Sequence, residues 1–217
     1  MFKDMLVRMS KNLRQDKALI FRITHVDNLE GVIENGCLSR NAAAENNYSE
    51  IGNQELILRR NLRQVPCHPF GTLSDYVPFY FTPYSPMLYN IKTGYGVPRQ
   101  PMSKIVILVS SLPKLVEEEV EFVFTDRHAY LKTAQFSNEL SDLDWIIWDV
   151  LQRRDFTKSD VDRFEKYQAE ALVRDRVPMS ALLGLVCYDE PTKLLAEKIA
   201  AEKAMSLNVR TMPGWYL

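Results

Sequence analysis

The sequence predicts a mixed α+β fold. Runs of residues with strand character outnumber the helical runs, and the two kinds do not alternate regularly, which favours a mixed sheet over a doubly wound parallel one. The chain has 217 residues, which is enough for one domain with a sizeable core. We therefore expect a single domain over residues 1–217, with residues 1–17 as an N-terminal extension.

Composition and charge exclude several classes of protein. Hydrophobic residues make up 46% of the chain, charged residues 25%, and the formal net charge is −1, which argues against a wholly basic nucleic-acid protein, although a local basic patch could still bind phosphate. Cys37, Cys67 and Cys187 are widely spaced, which argues against a disulfide framework or a metal site and favours reduced thiols. No apolar run reaches the roughly 20 residues of a membrane helix, and the N-terminus lacks the apolar centre of a secretory signal. We expect a cytoplasmic protein without a metal or a membrane anchor.

The first half of the chain contains one clear strand and two short helices. Ala18 to Ile23 has strand character, and Asp27 to Glu30 has the spacing of a capping box that begins a helix ending at Gly36. Residues 39–75 are irregular apart from a helix predicted over Asn53 to Arg60. Irregular segments of this length are usually functional or mobile.

The second half contains most of the predicted strands. Val77 to Phe81 has strand character, and Ser85 followed by Pro86 is typical of a helix start. Further strands are predicted at Lys104–Ser110, Glu121–Phe124, Tyr167–Val173 and Leu183–Tyr188, and helices at Asp142–Gln152 and Pro191–Met205.

The segment Tyr167 to Val173 sets one carboxylate in an otherwise uncharged run. Because side chains alternate along a strand, Gln168 and Glu170 are predicted to share a face. Taken alone, the heptapeptide favours an edge strand whose polar face is in water. The alternative is an amide and a carboxylate that face a ligand.

His25 and three arginines are the candidates for anion binding. His25 comes just before the predicted capping box, so its ring is expected near a helix N-terminus, where it either binds a ribose or only satisfies the strand end. Arg59, Arg60 and Arg63 lie at the end of the Asn53 helix. The helix dipole alone would stabilise cations there, and a guanidinium clamp on a pyrophosphate is the functional alternative.

Two further segments combine aromatic and basic residues. Asp75 to Tyr89 carries six aromatic residues and three prolines, and most of these rings should belong to the core, leaving Tyr84 and Tyr89 as candidates for stacking on a base. Arg153 to Lys158 brackets Phe156 with basic groups, which is either a phosphate and base contact or a solvated loop.

Familiar catalytic motifs are absent from the sequence. It contains no phosphate-binding glycine motif, no G-x-S-x-G and no metal-type spacing of His and Cys. His68 and His128 have no local partners that would form a triad. These absences argue against a classical hydrolase or dehydrogenase.

Four separated blocks, in order, resemble the DarT family of toxins, which transfer ADP-ribose to a thymidine base of single-stranded DNA. The blocks are Arg22 to Leu29, Ile51 to Asn53 with Arg60, Asp75 to Tyr89, and Tyr167 to Glu170, and the resemblance runs from Ala18 to Tyr216. It implies the ADP-ribosyltransferase fold, with two small packed β-sheets, an NAD cleft between them and peripheral helices. It also implies NAD⁺ as substrate, single-stranded DNA as acceptor and a macrodomain antitoxin of the DarG type as partner.

The resemblance assigns roles to individual residues. Glu170 would be the catalytic glutamate, Arg60 the essential arginine, and Gln168 would face the acceptor. The NAD⁺-binding residues would be His25, Val26, Asp27, Asn28, Gly36, Gly52 and Arg60. The DNA-binding residues would be Tyr84, Ser85, Pro86, Met87, Leu88, Tyr89, Arg153, Arg154 and Phe156. Some members carry arginine at the position of Tyr84, so DNA preference at this position is open.

The sequence leaves two alternatives open. Gln168-x-Glu170 also resembles the Q-x-E element of transferases that modify arginine or asparagine, so another base, RNA or a protein could be the acceptor. A non-catalytic nucleic-acid-binding member of the fold is the alternative from a different class.

Overall fold

The structure, a computed structural model, describes residues 9–43 and 48–216. Within these residues it contains ten strands and seven helices, besides short 3₁₀ turns. The strands are β1 (Leu19–His25), β2 (Cys37–Leu38), β3 (Tyr76–Tyr80), β4 (Ile105–Ser111), β5 (Phe122–Thr125), β6 (Phe136–Ser137), β7 (Glu170–Arg174), β8 (Arg176–Val177), β9 (Gly184–Cys187) and β10 (Val209–Thr211). The helices are α1 (Leu29–Asn35), α2 (Gln54–Arg60), α3 (Pro86–Thr93), α4 (Leu112–Glu117), α5 (Trp148–Arg153), α6 (Val161–Lys166) and α7 (Glu190–Glu202).

The main sheet has eight strands in the order β10-β9-β4-β1-β3-β7-β5-β6, and β2 pairs with β8 in a small second sheet. Strand β1 pairs with β4 over seven residues and β3 pairs with β7 over five. By contrast, β1 and β3 are joined at one pair, Phe21 with Tyr80. The predicted α+β class is confirmed. The two sheets differ in size, however, and are not the two small sheets that were expected. The two four-stranded halves of the main sheet are joined at the Phe21–Tyr80 pair and therefore form one sheet of eight strands.

A proline explains why the main sheet opens between β1 and β3. Pro78 lies in β3, an inner strand, where its missing N–H would normally interrupt the ladder. The carbonyl of Pro78 accepts a hydrogen bond from the Arg22 guanidinium at 3.1 Å, so it faces β1. The N–H and C=O of one residue in an antiparallel strand point to the same side. The missing donor therefore faces the opening, and the pairing of β3 with β7 is intact.

The strand that carries Glu170 differs from its prediction. It begins at Glu170, because helix α6 ends at Lys166 with Tyr167 as its C-cap, and the Gln168 side-chain amide donates to the carbonyl of Phe164 at 3.1 Å. Strand β7 lies between β3 and β5, and Glu170 is 2% exposed. The edge-strand interpretation is therefore wrong.

The predicted helix at Asp142–Gln152 is also shorter than expected. A 3₁₀ turn covers Leu140–Trp145, and α5 begins only at Trp148. The backbone of Ile146 between them is extended, with φ −78° and ψ 123°, so no continuous helix forms.

The chain after β1 uses a different cap from the one predicted. Asn28 makes no side-chain capping bond to α1, so the capping box does not form. Instead, Nδ1 of His25 accepts the backbone N–H of Asp27 at 3.2 Å and caps the 3₁₀ turn Val26–Asn28. His25 thus satisfies the end of the strand, which was one of its two interpretations.

The N-terminal segment packs against the domain where the structure describes it. Leu13 is fully buried, and the Gln152 side chain donates to the Leu13 carbonyl at 2.9 Å. Residues 1–8 of the predicted extension lie outside the described part, and the division into one domain stays a prediction. In the described ranges, no helix is both long and apolar enough to cross a membrane.

Gly36 has a structural role at the end of α1. Its φ is 77°, and a Cβ added there would stand 2.5 Å from the carbonyl oxygen of Val177. The glycine therefore lets β2 approach β8. We expect Gly36→Ala to lower the free energy of unfolding by at least about 2 kcal/mol, because it combines backbone strain with a clash. The measurement is urea denaturation of both proteins.

Gly31→Ala is the matched control. Gly31 lies within α1, and a Cβ there would meet nothing within 4 Å. This variant should be more stable than the parent by about 0.5–1 kcal/mol, since alanine favours the helix. Equal stability of the two variants would contradict the structural role of Gly36.

Candidate active site

A cavity of about 510 Å³ lies at the opening between β1 and β3. Strands β1, β3 and β7, helix α2 and the preceding loop contribute to its walls, with Arg22, Pro78 and Glu170 among the lining residues. This volume is typical of pockets that bury most of a small-molecule ligand. The opening between β1 and β3 is thus large enough to hold a ligand.

Glu170 stands at the start of β7, opposite Tyr80 of β3. Its backbone N–H donates to the hydroxyl of Thr125 at 3.2 Å, and its Oε1 accepts the backbone N–H of Ala129 at 3.1 Å. Strand β5 therefore fixes the backbone of Glu170, and the loop after β5 fixes its carboxylate. Such support fixes the direction in which the carboxylate faces the cavity.

Arg60 binds Glu170 with both terminal nitrogens of its guanidinium. The distances are 3.1 Å from Nη1 to Oε1 and 2.9 Å from Nη2 to Oε2, and the Arg60 side chain is 13% exposed. A planar guanidinium matches a carboxylate in this paired geometry, which a lysine cannot reproduce. Arg60 is the last residue of α2, so the helix end delivers it to the cavity.

The pKa of Glu170 lies below its ordinary value despite its burial. Desolvation raises the pKa, but the charge of Arg60, the neighbouring His128 and the hydrogen bonds from Arg60 and Ala129 together lower it further. The carboxylate is therefore ionised at neutral pH. A buried anion facing a ligand cavity is suited to stabilising positive charge.

The three clustered arginines have different roles. Arg59 pairs with Glu55 on the exposed side of α2, as the surface interpretation expects. Arg63 donates to the carbonyl of Leu131 at 3.1 Å. Only Arg60 of the three lines the cavity.

His128 is a site residue that was not predicted from the sequence. Its Nδ1 lies 3.1 Å from Oε1 of Glu170, its side chain is 14% exposed, and it lines the cavity. The same nitrogen lies 3.3 Å from the backbone N–H of Tyr130. Because Nδ1 accepts this N–H, the proton of the neutral ring lies on Nε2, and Nδ1 becomes an ion-pair partner of Glu170 only when the ring is protonated. His128 follows β5, so only the sheet order, with β5 beside β7, could have revealed it.

The pKa of His128 lies below its ordinary value of 6.5. Burial is the largest cause, and the charge of Arg60 adds to it, while Glu170 acts in the opposite direction. The imidazole is therefore neutral at pH 7. A neutral histidine beside an ionised carboxylate can accept a proton from a substrate.

The predicted NAD⁺-binding residues divide into two groups. Gly52 and Arg60 line the cavity. The others do not line it in the described residues; they are His25, Val26, Asp27, Asn28 and Gly36. Contact of these residues with NAD⁺ stays a prediction.

Asn28 supports the cavity wall indirectly. Its amide donates to the Ser49 carbonyl and accepts the Ser49 N–H, at 3.0 and 2.8 Å. It also donates to the hydroxyl of Thr24, which is 2.8 Å from the hydroxyl of Tyr48. Tyr48 lines the cavity. Asn28 therefore ties the loop before α2 to the end of β1.

Four of the predicted DNA-binding residues are buried, which revises that part of the prediction. Tyr84 is 1% exposed, Ser85 2% and Leu88 0%, and Pro86 is also buried. Ser85 caps α3, and the Arg154 guanidinium covers the Tyr84 ring at 3.6 Å from its centroid. Side chains without exposed surface cannot stack on a base in this conformation.

The other predicted DNA-binding residues retain accessible surface or face the cavity. Tyr89 is 43% exposed, and Phe156 packs beside it with ring centroids 6.0 Å apart. Arg153 and Arg154 are exposed, and Met87 lines the cavity. Gln168 does not line the cavity, and its role toward the acceptor stays a prediction. Within the described part of the chain, no group of three or more His, Cys, Asp and Glu residues could hold a metal ion.

A family model settles where the chain belongs. The model described as "ssDNA thymidine ADP-ribosyltransferase, DarT" matches residues 21–217. The chain belongs to the DarT family. The predicted family is confirmed, and with it the enzyme class of NAD⁺-dependent DNA ADP-ribosyltransferases.

Relatives and solved structures agree with this assignment. A DNA ADP-ribosyl transferase of Escherichia coli O127:H6 (strain E2348/69 / EPEC) is 45% identical over 211 residues, covering 95% of this chain and 97% of the relative. The structure of Thermus sp. 2.9 DarT in complex with ADP-ribosylated ssDNA has a TM-score of 0.86 at 33% identity, covering 93% of this chain and 97% of that one. The same DarT in complex with NAD⁺ has a TM-score of 0.83 at 32% identity, covering 93% and 98%. The predicted ADP-ribosyltransferase fold is thus confirmed.

Proposed function

We propose that this chain transfers ADP-ribose from NAD⁺ to a thymidine base in single-stranded DNA and releases nicotinamide. The observation that carries the proposal is the cluster of Glu170, Arg60 and His128 in the cavity at the sheet opening. It places a hydrogen-bonded cation and a neutral imidazole within 3.1 Å of one buried anion. The resemblance to DarT supports the choice of substrates.

Glu170 is proposed to promote departure of nicotinamide. Breaking the bond between nicotinamide and ribose builds positive charge on the ribose, much as in glycoside hydrolysis, and an adjacent carboxylate stabilises it. The low pKa of Glu170 keeps the carboxylate ionised for this role. A carboxylate has about four positions for hydrogen-bond donors. Arg60 donates two hydrogen bonds here and Ala129 donates one, which leaves one position for a ribose hydroxyl.

Arg60 and His128 are proposed to serve the acceptor. The thymine nitrogen N3 must lose a proton to attack the ribose, and an arginine with a pKa above about 12 is a poor base. His128 is neutral and can accept that proton on Nδ1, because the imidazolium so formed pairs with the Glu170 carboxylate 3.1 Å away. Arg60 then stabilises the developing thymine anion and orients a phosphate.

The biological role is proposed from the same chemistry. Modified thymidines would interfere with copying of the DNA, so an enzyme of this kind is a toxin unless it is restrained. The resemblance to DarT leads us to propose a macrodomain antitoxin of the DarG type as its partner. NAD⁺ and DNA meet in the cytoplasm, which is the compartment that we propose.

Mass spectrometry of oligonucleotides tests the proposal. Single-stranded oligonucleotides with thymidine are incubated with NAD⁺ and the protein, beside matched oligonucleotides without thymidine. We expect a mass increase of one ADP-ribose only where thymidine is present. Equal modification of both, or transfer of labelled ADP-ribose to RNA or protein instead, would overturn the proposed acceptor.

The pH dependence of turnover tests the role of His128. As the pH falls through the pKa of His128, which lies below its ordinary value of 6.5, protonation should reduce kcat in the parent protein, since the ring can then no longer accept a proton. In His128→Gln we expect kcat at neutral pH to fall by about 10²–10⁴-fold. In this variant kcat should not decline with acid until the pH approaches the pKa of Glu170, which is lowered from its ordinary value of 4.5.

The exposed His68 provides the control. It faces Glu121 at 3.8 Å, with 67% of its side chain exposed. His68→Gln should keep the profile of the parent protein. An unchanged acidic decline in His128→Gln would exclude His128 as the base.

A further inference from the structure

An exposed aromatic ring lies near the rim of the cavity, outside the residues that the family resemblance assigned. Tyr95 follows the C-terminal end of α3 and is 64% exposed. The ammonium group of Lys158 stands 4.5 Å from the centroid of its ring. Proteins that bind single-stranded nucleic acid use this arrangement: a base stacks on the exposed tyrosine, and the cation binds a neighbouring phosphate.

The turn that carries Tyr95 is tied to the wall of the cavity. Gly94 and Gly96 have φ values of 82° and 68°, which the left-handed turn requires. The Asn53 side chain donates to the carbonyl of Gly96 at 3.1 Å. Asn53 also lines the cavity and caps α2, the helix that ends at Arg60. Tyr95 is therefore held close to the cavity entrance by the same helix that carries a central site residue.

The surroundings of Tyr95 are positively charged. Lys158 forms no ion pair with any residue that the structure describes, and neither does the exposed Arg99. Arg99 lies next to the turn, since its Cβ would be 3.5 Å from a Cβ built on Gly94. Most other basic side chains of this region are already paired, such as Arg163 with Asp155. The two cations beside Tyr95 are thus available for phosphate.

The ring and its cations continue the surface formed by Tyr89 and Phe156. Tyr89 lies on α3, which leads to Tyr95, and Phe156 lies two residues before Lys158. The same two segments therefore form both the Tyr89–Phe156 ring pair and the Tyr95–Lys158 cation–π pair. A strand of DNA following this surface would pass from the cavity to Tyr95.

We propose that Tyr95 stacks on a base that flanks the modified thymidine, with Lys158 and Arg99 binding the adjacent backbone phosphates. This inference rests on the proposed function and adds a base-binding position to it. The position favours single-stranded over duplex DNA, because a base must leave its stack to cover the ring. It holds the DNA and does not touch the reacting atoms.

Steady-state kinetics with Tyr95→Ala test the proposal. Stacking contributes about 1–3 kcal/mol per base, which corresponds to about 5- to 150-fold in affinity. We expect KM for a thymidine oligonucleotide to rise by at least about fivefold in Tyr95→Ala, with kcat and KM for NAD⁺ unchanged. Tyr95→Phe should behave like the parent protein, because it keeps the ring. Lys158→Ala should reduce the dependence of DNA binding on salt by a slope of about one.

Two controls separate stacking from a general loss of structure. Tyr188→Ala removes another exposed tyrosine, located after β9, and should leave KM for DNA unchanged. Oligonucleotides with abasic sites on both sides of the thymidine should bind the parent protein and Tyr95→Ala equally. An unchanged KM on the intact oligonucleotide, or an equal loss on the abasic one, would overturn the role of Tyr95.

Failure of the proposed function is distinguishable from failure of this inference. If the parent protein modifies no single-stranded DNA, the proposed function fails before any variant is compared. Fluorescence anisotropy of the same oligonucleotides then still decides whether Tyr95→Ala weakens binding. If the parent protein modifies DNA and the variant matches it in both assays, only the inference fails.

Discussion

Glu170→Gln is expected to lower kcat for ADP-ribosyl transfer by about 10²–10³-fold, the typical effect of removing one electrostatic contact to a transition state. The amide keeps the shape of the side chain but not the charge that stabilises the ribosyl cation. It also turns an NH₂ group toward one nitrogen of Arg60, so the paired hydrogen bond of 3.1 and 2.9 Å is lost. The measurement is transfer to a thymidine oligonucleotide together with release of nicotinamide.

Glu165→Gln is the matched control for this variant. Glu165 lies on α6, five residues before Glu170, and pairs with Arg127 at 3.2 Å away from the cavity lining. Its replacement should leave kcat within about twofold, as is usual for a partly exposed ion pair. Consumption of NAD⁺ that survives in Glu170→Ala would refute the catalytic assignment.

Arg60→Ala should destabilise the protein by about 3–5 kcal/mol at pH 7, because it leaves a buried carboxylate without its cation. The effect should depend on pH. In the parent protein the pKa of Glu170 is depressed, so its contribution to stability is present above the ordinary value of 4.5 and is lost as the pH falls through the folded pKa. Without Arg60, desolvation becomes dominant and raises the pKa of Glu170. Urea denaturation at pH 7 and pH 5 should therefore show a smaller difference between the two proteins at pH 5.

Two further variants separate the charge of Arg60 from its geometry. Arg60→Lys keeps the positive charge and should preserve much of the stability, but it loses the planar fork, so we expect kcat to fall at least about tenfold. Unchanged turnover would exclude the orienting role. The double variant Arg60→Ala with Glu170→Gln should recover stability without recovering activity. Arg59→Ala, at an exposed pair with Glu55, should change stability by less than about 0.5 kcal/mol.

Local patterns in the sequence predicted the separate elements well. Asn53 caps α2 and Ser85 caps α3, each at the predicted start, because a cap is a contact between residues three apart in the chain. The run from Ile105 to Ser111 is buried throughout, as an uninterrupted apolar stretch indicates. The family resemblance singled out Glu170 and Arg60 separately, but it did not predict that they pair, and 110 residues separate the two.

Features that depend on strand order could not be predicted from the sequence. Glu170 looked exposed because nothing local shows that β7 has a partner on each side. His128 had no local partner because its contact with Glu170 crosses from β5 to β7. Tyr84 looked available for stacking because the cation that covers it, Arg154, is 70 residues away. In each case a contact between distant segments decided the outcome.

The single residue pair between β1 and β3 makes any ligand in the cavity part of the framework. Two four-stranded halves that share one backbone contact are expected to fluctuate against each other. A nucleotide bound between Arg22 on one half and Glu170 on the other would bridge the two halves. It would take the place of the backbone hydrogen bonds that a fully paired β1–β3 ladder would make. Amide hydrogen exchange in β1 and β3 should therefore slow when a ligand fills the cavity. The substrate would then hold the two halves of the sheet together for as long as it is bound.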